Sequence, residues 1–209
     1  MMELNERQWV IHTVMHPFEG FDDLRWKKAG SFAYACVIVA LWLTGEVLCD
    51  NFYGKQFVMP DMYKFSIIPY IVRTVIVFLA WTAGNWAVST LLDGEGTMKK
   101  IFIYSAYALI PYTAQIYIRV FLSHILVRDE AVFIVIFEAV GILWSVLLMF
   151  MAIKTVHQFS VSGTVFSIIL TIAALVVITA LLVLGAALIQ QVTDFVSSVC
   201  AEIEYRLRD

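Results

Sequence analysis

Four ionisable side chains interrupt stretches that are otherwise apolar: Glu46, Arg73, Arg119 and Glu138. An ionised group inside hydrocarbon is costly, and its presence there points first to function. Two acids and two bases allow two chemistries. They can pair, each base neutralised by an acid, so that the pairs fix helix register. Together with Gln115 they can instead line a polar pocket for a substrate, a lipid headgroup or a proton. Spacing puts several of them on common faces. Tyr107, Pro111, Gln115 and Arg119 recur every four residues, and Glu138, Gly141 and Ser145 follow a similar period.

A second group is His16, Asp93, Glu95 and His157, of types that can hold a metal. They come from three separate segments and match no compact zinc motif, so the expectation is solvated turn residues and caps, with no metal and no other cofactor. The chain has no HExxH, GxSxG, Walker or GxGxxG pattern and no paired-histidine helix, so an enzyme is not expected. It has no basic patch and a net charge of −3, so nucleic acid is not an expected partner.

The elements that must position these residues follow from composition. The chain of 209 residues is 61% hydrophobic and 15% charged, with a mean hydropathy of +0.84. Soluble domains carry about 25% charged residues. There are too few charges to wet the surface of a protein this size, so lipid must cover much of it. Five runs approach or exceed the roughly 20 apolar residues that a spanning helix needs: Gly30–Cys49, Ser66–Leu92, Ile101–Val127, Ala131–Ile153 and Thr164–Gln190. The expected fold is an all-α integral membrane protein, a single bundle of five transmembrane helices. The divisions are a cytoplasmic N-terminal segment (1–29), a membrane domain (30–190) and an amphipathic helical extension (191–209). Nothing in the chain reads as a cleavable signal peptide.

Lysine and arginine set the orientation. With the N-terminus cytoplasmic, Arg7, Arg25, Lys27, Lys28, Lys99, Lys100 and Lys154 lie inside, and the smaller set Lys55, Lys64, Arg128, Arg206 and Arg208 lies outside. The "RWKK" stretch abuts the first span. The N-terminus is therefore expected inside and the C-terminus outside.

"LLDGEGTMKK" then becomes a short cytoplasmic turn. Gly94 and Gly96 would permit a tight reversal. Asp93 would cap the exit of the second span, and Glu95 would favour the positive start of the third. Pro111 removes a donor inside the third span, so a kink is expected there, with a neighbouring helix or a hydroxyl satisfying the carbonyl near Tyr107 that is left without its usual partner. His16-Pro17 reads as a turn opening a short helix, Phe18 to Trp26, whose Phe18, Phe21 and Leu24 suit an element lying on the membrane or docking on a partner. On the second span, Ala80–Gly84 and Ala83–Ala87 allow close helix approach, within the bundle or in a homo-oligomer. Cys49 and Cys200 both fall on the expected outer side, where a disulfide is geometrically conceivable, but three cysteines form no framework.

The stretch "DGEGTMKKIFIYSAYALIPY" resembles the signature of the Yip-domain membrane proteins, the Ypt/Rab-interacting family of five-span proteins. "HPFEGFDDLRWKKAGS" and "KTVHQFSVSGT" are similar to stretches of its bacterial branch, and the likeness runs from about Met15 to Gln191. Eukaryotic members carry a long disordered N-terminus and act in vesicle traffic with Rab GTPases; here only residues 1–29 precede the first span. The resemblance implies a multi-pass protein of the bacterial cytoplasmic membrane, an accessory or adaptor for a membrane partner such as a transporter. The docking surface expected for that partner combines His16 and Pro17, the Asp93-Gly94-Glu95-Gly96 turn, and His157 with Gln158. A small transporter or lipid-handling protein built on the intramembrane charges is the alternative.

Overall fold

The protein is described by a computed structural model that covers residues 5–54, 57 and 65–208, with side chains as far as Cys200. Lys55 and Lys64, used above for orientation, lie outside the described residues, as do the side chains of Arg206 and Arg208. Two short helices come first: α1 (Glu6–Met15) and α2 (Gly20–Trp26). Long helices follow: α3 (Phe32–Phe52), α4 (Ile68–Leu91), α5 (Met98–Ala108), α6 (Ile110–Ile125), α7 (Ala131–His157) and α8 (Val161–Arg208). No strand occurs among the described residues. Five helical stretches are long and apolar enough to cross a membrane, α5 and α6 together making the third.

Helix α1 was not anticipated. Its start is a capping box: the Asn5 backbone N–H donates to Gln8 Oε1 at 2.8 Å, and Asn5 Oδ1 accepts from the Glu6 N–H at 2.7 Å. Such reciprocal caps satisfy donors that the helix itself leaves orphaned. The second helix begins at Gly20 rather than Phe18. Its apolar face turns onto the protein: Phe21 and Leu24 are fully buried, and the Phe21 ring lies 5.8 Å from that of Tyr104. Phe18 alone of the expected trio is exposed.

The third span is the most enclosed of the five and the fifth the least. Helix α5 is buried from Tyr104 to Ala108 and packs on α3, α4 and α7. The expected kink is a break at Leu109, between α5 and α6. Pro111 lies in the first turn of α6. The Tyr112 N–H, which a continuous helix would direct to the carbonyl four residues back, donates instead to Ser145 Oγ of α7 at 2.8 Å. The backbone group that a neighbouring hydroxyl satisfies is thus this N–H, where the sequence pointed to the carbonyl near Tyr107.

Helix α4 carries a π turn at Val72–Ile76, around Arg73. Further along, Gly84 is the small residue that meets α8: a Cβ there would stand 3.1 Å from Leu175 Cδ2. Ala80 and Ala87 are exposed. Helix α8 runs unbroken for 48 residues, about 72 Å at 1.5 Å per residue. Thr164, Ser167 and Thr171 are buried, and from Val176 to Val199 its large apolar side chains are exposed.

Candidate functional site

The four intramembrane charges lie in the half of the bundle remote from the α1–α2 hairpin, and they meet as two ion pairs. Arg73 Nη2 lies 2.9 Å from Glu46 Oε2 and 3.1 Å from Asp50 Oδ2. The Glu46 carboxylate also accepts from Trp42 Nε1 at 3.1 Å and from the Tyr112 hydroxyl at 3.2 Å. Arg119 Nη1 lies 3.0 Å from Glu138 Oε1, and its guanidinium covers the Tyr53 ring at 5.0 Å. The Arg73 guanidinium covers the Tyr70 ring at 5.3 Å, so each base has an acid beside it and an aromatic face under it, which offsets part of the cost of holding charge in a poorly solvated place. Asp50 is a partner that the sequence reading missed, although it stands four residues after Glu46 on the same helix face. Gln115 lies against Gly141, buried, and its Oε1 meets no hydrogen-bond donor among the described residues; the Arg119 Nε–H likewise meets no acceptor.

The opposite end of the bundle gathers three separated stretches. Arg25 of α2 joins them. Its Nη2 pairs with Glu95 Oε2 at 2.6 Å, and its Nη1 donates to the carbonyls of Thr155 at 2.6 Å and Val156 at 3.1 Å. Those carbonyls are among the last of α7, which the helix leaves without internal partners and with partial negative charge. Asp22 adds a second tie, accepting from Thr155 Oγ1 at 2.9 Å. Glu95 thus serves the hairpin. The N-terminal cap of α5 is Thr97, whose Oγ1 accepts from the Lys100 N–H.

His157 holds the turn from beneath. Its ring is buried and stacks on Phe159 with centroids 5.2 Å apart. The Gly96 N–H points to Nδ1 at 3.3 Å, so Nδ1 is the acceptor. Nε2 therefore carries the proton and donates to Asn85 Oδ1 at 3.0 Å. The Asn85 amide passes the chain on to Thr171 Oγ1 of α8 at 3.3 Å. A sequence of hydrogen bonds runs from the turn to the last span.

The glycines of the turn have a different reason from the expected one. Positive φ falls on Asp93 (57°) and on Gln158 (58°), and neither Gly94 nor Gly96 adopts it. What excludes a side chain is crowding, by the imidazole at both positions and also by Val156 Cγ1 at Gly96. A Cβ on Gly94 would stand 2.6 Å from His157 Nδ1, and one on Gly96 would stand 2.5 Å from His157 Cε1. The glycines are there for close approach.

His16 and Pro17 stay apart from this network. His16 Nδ1 lies 3.3 Å from the His12 carbonyl, and His12 pairs with Asp23 at 2.9 Å. No group of three or more potential metal ligands assembles among the described residues. Cys36, Cys49 and Cys200 are free thiols, so the conceivable Cys49–Cys200 bridge is not formed. Arg25, Asn85 and Thr155 are the residues that sequence reasoning overlooked. Asn85 carried a readable signal, a polar amide within a spanning run. Arg25 reads in the sequence only as a charge that sets orientation.

The family model described as the Yip1 domain matches residues 11–185. No curated protein and no solved structure matches the chain.

Proposed function

The chain belongs to the Yip1 domain family, and from that premise we propose that it is a non-catalytic adaptor whose hairpin end docks a membrane partner such as a transporter. One observation carries the reading: Arg25, Glu95 and His157 tie three distant segments into one surface. Asp93, Gln158 and Ser160 are exposed beside those ties. A rigid platform with exposed polar groups suits recognition better than it suits a simple connector. With "RWKK" next to α3, this end faces the cytoplasm, and the location is the bacterial cytoplasmic membrane.

Glu95 is occupied by Arg25, so the docking group is the exposed Asp93. Asp93→Asn keeps a residue that tolerates left-handed backbone and removes one charge. Normal membrane abundance with loss of proteins that co-purify with the wild type in mild detergent is the expected result. Retention of all of them would sink the docking role. Orientation is tested separately. With Cys36 and Cys49 replaced, an impermeant thiol reagent should reach Ser162→Cys and the native Cys200 from opposite sides.

The second reading, a small transporter or lipid-handling protein, is favoured by the unpaired Gln115 Oε1 and Arg119 Nε beside the Arg119–Glu138 pair. Growth or transport lost in Gln115→Leu with thermal stability retained would support it over the adaptor.

A further inference from the structure

We infer that the α1–α2 hairpin is a half-inserted wedge, with its apolar tip seated among the acyl chains of the leaflet on its own side of the membrane. The key contact is Trp144 Nε1, which donates to the Val14 carbonyl at 3.1 Å. Trp144 is the central residue of α7, a spanning helix. The end of α1 therefore reaches well along the span rather than resting above it.

The contact itself fits a lipid setting. Val14 lies in the last turn of α1, where carbonyls have no partner within the helix. In water such a group needs no help, whereas in hydrocarbon an unsatisfied carbonyl is costly. Here a tryptophan of a neighbouring helix supplies the donor. Around it the hairpin shows Ile11, Met15 and Phe18 to the outside, at 53%, 68% and 64% exposure. This patch continues the apolar surface of the bundle. Helix α7 exposes large apolar residues from Val132 to Val146, and Leu148, Met151 and Ala152 beyond them are buried. The hairpin packs on α7 through α2, so its tip adjoins the lipid-facing surface where that surface gives out. Glu19 is exposed at the same tip and must reach the headgroup layer, which limits how far the wedge sinks. Of the other charges of α2, Asp22 and Arg25 sit at the end tied to Thr155, and Asp23 pairs with His12 of α1.

Two measurements test the wedge. The wild-type protein is reconstituted in phosphatidylcholine–phosphatidylglycerol vesicles containing a phosphatidylcholine with a diazirine on one acyl chain. After illumination, lipid adducts are expected on the peptide spanning Ile11 to Phe18 as well as on the exposed stretch of α7. Adducts on α7 with none on the hairpin would overturn the inference. In a variant with serine at the three cysteine positions, a fluorophore is attached at Met15→Cys or at Asp23→Cys. A nitroxide on the lipid chain should quench the first more strongly than the second, and aqueous iodide should do the reverse. Equal quenching of both positions by iodide would place the tip in water and end the proposal.

Discussion

Gly96 and His157 touch across the turn: the glycine N–H donates to Nδ1 at 3.3 Å, and a Cβ on the glycine would stand 2.7 Å from that same nitrogen. The contact fixes both the histidine tautomer and the identity of the glycine. Gly96→Ala should therefore destabilise the protein through overpacking, by about 1–3 kcal/mol. Detergent thermal unfolding measures it. The added Cβ would meet Val156 Cγ1 as well as the ring, so His157→Ala in the same chain should relieve part of the clash and make the two losses partly non-additive. Additive losses would mean that the glycine serves some other need.

Arg25 is expected to matter more than its ion pair. Glu95 is 65% exposed at its side chain, so Glu95→Gln should cost less than about 1 kcal/mol. Arg25→Ala also strips donors from the Thr155 and Val156 carbonyls, and hydrogen bonds from charged groups are worth about 1.5–3 kcal/mol each. Unfolding midpoints of the two variants should differ clearly. If they coincide, the cap on α7 contributes nothing.

The Arg119–Glu138 pair is about a third exposed on each side, which lowers the expected cost of breaking it below the 3–5 kcal/mol typical of full burial. Arg119→Gln or Glu138→Gln should each lower stability by roughly 1–3 kcal/mol on that discount. The double variant should cost less than the sum. At the other pair, Arg73→Gln should cost more than Asp50→Asn, because it strands the Glu46 carboxylate, whose side chain is 14% exposed. Unchanged melting in all of these variants would show that the charges are not paired for stability.

Ser145 is a predicted weak point with no charge at all. Ser145→Ala leaves the Tyr112 N–H without its acceptor at the break in the third span, a loss of about 1–3 kcal/mol for a buried donor. Ser145→Thr restores the hydroxyl and should recover part of it. Hydrogen exchange at the Tyr112 amide reads the same contact locally, and exchange unchanged by Ser145→Ala would remove it.

Some of this architecture was decided by the sequence alone. A spanning helix satisfies its own backbone and needs only length and apolarity, both local properties, so the five runs could be placed to within a few residues at most ends. The interruption at Pro111 was local for the same reason: a missing N–H is written in one residue. That the intramembrane charges could pair was legible from the cost of leaving them alone, though a polar pocket stayed open beside it.

Tertiary structure decided which groups meet at the hairpin end. Nothing within "DGEG" says that its glycines yield to an imidazole sixty residues later, or that Glu95 answers Arg25 on a different helix. Helix α1 hid behind a marginal length, since ten residues are too few to hold a helix by propensity. It is stabilised where Trp9 and Thr13 are buried against the rest of the protein. The exposed tip, with Phe18 outside while Phe21 and Leu24 are inside, depends on which face the bundle had room to cover. Composition fixes that a face is apolar; only packing chooses whether protein or lipid receives it.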